Sequence, residues 1–401
     1  MNQTPKGERL HISLFGRRNA GKSSLINAIT GQDLAIVSEV KGTTTDPVYK
    51  AMEILPLGPV MLVDTPGLDD VGTLGEERIR KTRSVLNKTD LALIVADGKE
   101  AAEDFSFEEK ILELTKKKKI PALIVLNKQD EWDLDESKKI SQEAICVSCK
   151  TGYHIQELKE RIAESIPVDN PAGKIVGDLL KPGDFVVLVV PIDSAAPRGR
   201  LILPQQQVIR DVLETGAVSV VCRDTELAAT LRQLGQTPRL VITDSQAFAS
   251  VAKDTPEEIP LTSFSILFSR YKGDLETQLL GVRTLDKLQD GDLILMAEGC
   301  THHRQCEDIG TVKLPRWIRE YTGKELYFET SSGGGFPEDL AKYKMIVHCG
   351  GCTLSKKEMA FRIAEAKDQH VPIVNYGTLI ACLKGVLKRS IQPFEQYRDL
   401  L

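Results

Sequence analysis

A chain of 401 residues with 41% apolar residues is long enough for two or three domains, each with its own core. Fifty-two basic against 57 acidic residues leave a net charge of -5. That excludes an overall positive field for nucleic acid or anionic membrane, and no stretch approaches 18 uncharged apolar residues. Residues 1–9 hold no apolar signal core, so a cytoplasmic protein is expected, with no nucleic-acid and no membrane partner. Its eight cysteines then read as thiols or metal ligands rather than a disulfide framework.

The first predicted strand covers residues 10–15. It feeds Gly16-Arg17-Arg18-Asn19-Ala20-Gly21-Lys22-Ser23, and a helical stretch follows from Ser24 to Ile29. Strand, GxxxxGKS and helix together make a phosphate loop: the glycines let backbone N–H groups turn inward on a polyphosphate, and the helix N-terminus adds its positive dipole end. Asn19, Ala20, Gly21, Lys22, Ser23 and Ser24 are expected around the nucleotide. Lys22 would reach the β- and γ-phosphates, and Ser23 would hold magnesium. The polar, aperiodic segment 41–46 is a switch candidate in which Thr44 completes the magnesium shell. A short apolar strand at 60–63 ends in Asp64-Thr65-Pro66-Gly67. Asp64 offers a carboxylate to a magnesium-bound water, and Gly67 offers an N–H to the γ-phosphate. Lys22, Thr44, Asp64 and Gly67 form the expected catalytic set.

Apolar strands are predicted at 91–97 and 121–126, the second ending in Asn127-Lys128-Gln129-Asp130. Asp130 can accept two hydrogen bonds from guanine N1 and N2, which adenine cannot offer, so NKxD selects guanine. A strand at 144–147 delivers Ser148-Cys149-Lys150, in position to support the base. Cys146 and Cys149 have CxxC spacing, but they belong to this loop and are read as structural. The lysine run 116–119 is read as a solvated helix end.

Five motifs in this order, from residue 10 to about 167, resemble the translation-factor-like GTPases of the Era and tRNA-modification type. The resemblance implies a potassium site at Asn19, where potassium-activated members carry an asparagine; the alternative is a loop asparagine suited to its turn. Leu68 stands where the Ras type places a water-orienting glutamine, which implies slow hydrolysis unless potassium or a partner helps.

Residues 168–174 read as a linker. Beyond it, strand-like runs at 185–190, 217–222, 240–243 and 264–268 alternate with helical patterns at 205–213, 225–234 and 245–252. A second small α/β sheet is expected. With no phosphate loop, catalytic dyad or cysteine cluster, it reads as an assembly domain.

In the last third, a strand at 292–298 runs into Gly299-Cys300-Thr301-His302-His303, and a strand at 343–347 runs into His348-Cys349-Gly350-Gly351-Cys352. Carboxyl ends of parallel strands share one sheet edge, so the two segments can converge. Thiolates of Cys300, Cys349 and Cys352 suit an iron–sulfur cluster or zinc, and the intervening glycines let N–H groups point at sulfur. Cys306 is a candidate fourth thiolate, the alternative being a buried spare thiol at the start of the next helix. His302, His303, Glu307 and His348 are fourth-ligand candidates, although strand alternation points His348 and Cys349 to opposite faces.

CxH, a gap, then HCxxC, behind a GTPase and a middle domain, resembles the di-iron hydrogenase maturation GTPases, the HydF family, over nearly the whole chain. The resemblance implies an α/β protein with a P-loop GTPase domain (1–167) followed by two smaller α/β domains, one for dimerisation (177–267) and one for the cluster (268–401). It also implies a homodimeric scaffold using GTP, Mg2+ and K+, with a 4Fe–4S cluster on three cysteines. A transient di-iron precursor would be built there with radical SAM hydrogenase maturases and delivered to apo di-iron hydrogenase. The alternative is a tRNA-modification or ribosome-assembly GTPase with structural zinc. That class usually adds a basic RNA-binding module, which this acidic chain lacks.

Overall fold

The computed structural model describes residues 6–31, 47–65, 82, 84–132, 143–166, 173–192, 201–299, 308–333 and 335–400. Thr44, Gly67, Leu68, Cys300, His302, His303, Cys306 and Glu307 lie outside the described residues. The chain divides into two compact units, Met1–Asn170 and Pro171–Leu401. Among the described residues, no helix is long and apolar enough to cross a membrane.

The first unit is built on a six-stranded sheet. Its strands are β1 (Leu10–Phe15), β2 (Val48–Ile54), β3 (Gly58–Asp64), β4 (Leu91–Asp97), β5 (Ala122–Asn127) and β6 (Ile145–Cys146), in the order β2-β3-β1-β4-β5-β6. All neighbours are parallel except β2, which pairs antiparallel with β3. The described helices are α1 (Lys22–Thr30), α2 (Gly98–Glu103), α3 (Ser106–Lys117) and α4 (Ile155–Ser165). Strand β4 is buried along its whole length, and β1 along all but its first residue, which is why they read as unbroken apolar runs. Among the described residues, the loops that follow β1, β5 and β6 leave the carboxyl ends of their strands, and Asp64 ends β3, at the edge where open α/β sheets bind ligands.

The second unit holds two parallel four-stranded sheets. The first consists of β7 (Phe185–Val189), β8 (Val218–Cys222), β9 (Leu240–Thr243) and β10 (Leu261–Ser263), ordered β10-β9-β7-β8. The second consists of β11 (Leu293–Ala297), β12 (Tyr327–Ser331), β13 (Met345–His348) and β14 (Ile373–Asn375), ordered β12-β11-β13-β14. Their helices are α5 (Leu203–Glu214), α6 (Leu227–Gln233), α7 (Phe248–Asp254), α8 (Phe264–Lys272), α9 (Leu275–Val282), α10 (Leu314–Thr322), α11 (Lys356–Asp368), α12 (Tyr376–Leu383) and α13 (Leu387–Ile391). The sheets share one core: Val187, Leu188 and Ile242 of the first belong to the same buried cluster as Ile294, Met296 and Val347 of the second, together with Phe264 and Leu267 of α8.

One expectation is corrected by this arrangement. The run 264–268 is the start of helix α8, not a strand. The strand is the preceding Leu261–Ser263, and Ser263 caps the helix by accepting from the Ile266 N–H at 3.2 Å. Phe264, Ile266, Leu267 and Phe268 are all buried, so the helix shows no polar face from which its period could be read. Residues 267 and 268 both lie within α8.

Candidate functional site

The nucleotide loops hold one another in place through side chains. Gly21 has φ +88°, and a Cβ there would lie 2.1 Å from Asn127 Nδ2, so only glycine lets the two loops approach this closely. Asn127 Nδ2 donates to the Ala20 carbonyl at 3.0 Å. Its Oδ1 accepts from the Cys149 N–H at 3.4 Å and from Cys149 Sγ at 3.2 Å. One asparagine thus joins the phosphate loop, the base motif and the fifth loop. Burial pushes the Cys149 thiol up to about 11, as befits a packed, unreactive sulfur.

Lys22 is buried, and its Nζ donates to the carbonyls of Gly16 at 2.9 Å and Arg17 at 2.7 Å. Ser23 Oγ donates to Asp64 Oδ2 at 2.5 Å, which brings together the two expected magnesium groups of the described residues; burial raises the Asp64 pKa. Asn19 is exposed, with φ +62°, and Ser24 is exposed in the first turn of α1. On the base side, Asp130 Oδ1 accepts from Ser148 Oγ at 2.6 Å, and that bond holds its carboxyl below the usual range. Lys150 Nζ lies 3.7 Å from Asp130 Oδ2. Lys128 donates to Asp97 Oδ2 at 2.7 Å. Asp97, at the end of β4 and the cap of α2, was not among the residues singled out by motif; its one sequence signal is a carboxylate closing an apolar strand.

In the second unit, β11 and β13 are adjacent and parallel, with Ala297 paired to His348, so the two cysteine segments leave the sheet side by side. The Cys349 N–H donates to the Ala297 carbonyl at 2.8 Å. Cys349 Sγ accepts from the N–H groups of Gly299 at 3.1 Å and Gly351 at 3.4 Å. Thr353 Oγ1 donates to the Gly299 carbonyl at 3.2 Å, closing the turn against the neighbouring strand end. Gly299 immediately precedes Cys300. Cys349 and Cys352 are partly buried and joined in no disulfide among the described residues. Among the described residues, no three of the His, Cys, Asp or Glu side chains converge as a metal site.

His348 is fully buried. Its Nδ1–H donates to the Cys349 carbonyl at 2.7 Å, and its Nε2 accepts from Arg362 Nη1 at 3.0 Å. Burial first, and the Arg362 charge second, push its pKa down to about 3. Arg362 itself donates to Glu358 Oε1 at 2.9 Å and to the Gly333 carbonyl at 2.6 Å. Both ring nitrogens of His348 are thus engaged in this arrangement. The two described thiols, by contrast, fit a sulfur-ligated group by chemistry, since soft thiolates take iron–sulfur clusters or zinc and amide N–H groups pointing at sulfur stabilise the thiolate.

Comparisons with known proteins divide the chain along these lines. Residues 11–128 match the family model described as 50S ribosome-binding GTPase. Residues 175–273 match the Hydrogen maturase F dimerization domain, and residues 276–393 match the Hydrogen maturase F tetramerization domain. The two latter models meet at the junction of α8 and α9. Among curated proteins, GTPase Der of Sulfurimonas denitrificans is 40% identical over 170 residues, 39% of this chain and 34% of that protein. The tRNA modification GTPase MnmE of Legionella pneumophila is 35% identical over 170 residues, 42% of this chain and 37% of that protein. The chain thus spans about a third of the length of these relatives. A solved structure of Aquifex aeolicus Era bound to GDP.AlF4- aligns with 56% of this chain and 98% of that chain, at 20% identity and a TM-score of 0.35.

Proposed function

Because the chain belongs to the HydF hydrogenase maturase family, we propose that it is a GTP-hydrolysing scaffold for the di-iron subcluster of hydrogenase. In this reading the first unit binds GTP with magnesium at Ser23 and Asp64, together with Thr44. Lys22 and Gly67 meet the phosphates, Asn127, Lys128 and Asp130 meet the base, and Asn19 helps to hold potassium. The second unit holds a 4Fe–4S cluster through Cys300, Cys349 and Cys352.

The observation that carries the cluster half is the Gly299 N–H donating to Cys349 Sγ at 3.1 Å, which brings the chain next to Cys300 against the second cysteine pair. When bound, such a cluster supplies an iron position that the protein's sulfurs leave open for exchange. This chain's own residues present thiolates at one sheet edge, aim amide N–H groups at Cys349 and keep His348 occupied elsewhere. The cargo is a di-iron precursor, built with radical SAM maturases and passed to apo-hydrogenase. The dimerization and tetramerization models support an oligomeric scaffold, with the homodimer as its unit.

The test is activation of apo-hydrogenase by protein purified, without oxygen, from cells making both radical SAM maturases. The wild-type protein is expected to activate it and Cys349→Ser to fail. Full activation by Cys349→Ser would contradict the assignment.

A further inference from the structure

The turn Cys349-Gly350-Gly351-Cys352 is held from beneath by a residue far from it in sequence. Lys272, the last residue of α8, is 3% exposed, and its Nζ donates to the carbonyls of Leu354 at 3.1 Å, Cys352 at 3.2 Å and Gly351 at 3.5 Å. An ammonium is a strong donor with three protons, and three carbonyls of one short segment accept from it. Nζ also lies 5.7 Å from the centroid of the Phe268 ring, one turn back on the same helix. In a trans peptide the C=O and N–H point in opposite directions. Carbonyls of Gly351 and Cys352 drawn onto Nζ therefore turn the N–H groups of Cys352 and Thr353 away from it. The preceding N–H, that of Gly351, already donates to Cys349 Sγ at 3.4 Å. Burying an ammonium is costly unless its hydrogen bonds are made, and here they are made to the peptide groups of the cysteine turn.

We propose that Lys272 is the positioning residue of this turn. It fixes the orientation of the peptide groups from 351 to 355 and places a positive charge against the backbone of the cysteine turn, which raises the reduction potential of a cluster that the turn holds. The first half stands on the geometry alone; the second rests on the cluster-binding reading above. A fixed positive charge favours the form of the cluster that carries the extra electron, so removing it lowers the potential.

Wild-type protein, Lys272→Met and Lys272→Gln are compared as full-length chains. On unloaded protein, amide hydrogen exchange is read for residues 350–355. Lys272→Met is expected to exchange there about tenfold faster, while Lys272→Gln, which keeps an N–H donor, retains much of the protection. After reconstitution with iron and sulfide, redox titration is followed by electron paramagnetic resonance. Both neutral variants are expected to show at least about a tenfold lower ratio of reduced to oxidised cluster at the wild-type midpoint, a shift of about 59 mV to more negative potential for one electron. If Lys272→Met fails to fold, Lys272→Gln carries the potential measurement. Wild-type potential in Lys272→Gln overturns the charge role, and wild-type exchange in Lys272→Met overturns the positioning role. A wild-type protein that takes up no iron defeats the cluster reading, and the exchange measurement on unloaded protein still decides for or against Lys272 in the turn.

Discussion

Arg362 is the point at which the packing beneath the cysteine turn is most open to measurement. It is 1% exposed and makes its hydrogen bonds to Glu358, His348 and the Gly333 carbonyl, with its guanidinium 5.1 Å from the Phe336 ring. Arg362→Met fills similar space but leaves a Glu358 carboxylate only 6% exposed, together with an imidazole nitrogen and a carbonyl that lose a donor. Breaking a buried ion pair by removing one partner costs about 3–5 kcal/mol. For a unit of this size, each kcal/mol lowers the melting temperature by about 2–4 °C, so the transition of the second unit should fall by roughly 6–20 °C. Differential scanning calorimetry reads that transition directly. The double variant Glu358→Leu with Arg362→Met removes both charges and should recover most of the loss, because the larger part of the penalty is a buried carboxylate that has lost its guanidinium. An Arg362→Met protein melting within about 2 °C of wild type, or a double variant no better than the single one, would refute the reasoning.

Other perturbations probe the nucleotide side. Asp130→Asn should weaken GTP relative to xanthosine triphosphate by about an order of magnitude or more in competition binding, since the guanine N1 and N2 donors lose their acceptor; unchanged preference would reject the base assignment. Replacing sodium by potassium should speed GTP hydrolysis in wild type and not in Asn19→Ala, and equal rates in both salts would remove the potassium site. With its thiol pushed up to about 11, Cys149 should react with iodoacetamide at pH 8 about a hundredfold more slowly than a free cysteine. Peptide mass mapping over time reads that rate, and prompt labelling would show the sulfur to be accessible and ionised.

Much of the nucleotide site was legible because its chemistry is local. A phosphate loop, an NKxD and the strands that deliver them are contiguous stretches, and their periods follow from burial on both faces of a parallel sheet. The two cysteine segments were legible for the same reason, each being the end of an apolar strand. What escaped was set by contacts distant in sequence. Strand β2 is mostly exposed although most of its side chains are apolar, and its place at the sheet edge comes from pairing with β3. Nothing in Arg270-Tyr271-Lys272 signals the carbonyls of residues 351–354 that accept from the Lys272 ammonium. Arg362 likewise sits in a helix rich in charge, and its burial comes from His348, Gly333 and Phe336 rather than from its neighbours in sequence. Strand alternation already set His348 and Cys349 on opposite faces, but the Arg362 guanidinium that meets the His348 ring comes from a helix 14 residues on and is seen only in the fold.

The central claim is that Cys300, Cys349 and Cys352 hold an iron–sulfur cluster with an exchangeable iron position. Metal and sulfide analysis with electron paramagnetic resonance, on protein reconstituted without oxygen, tests it most directly. The account predicts about four irons and four sulfides per chain and a reduced-state signal that shifts when imidazole is added. About one zinc per chain, with no iron signal after reconstitution, would contradict it and make the cysteine turn a structural clip.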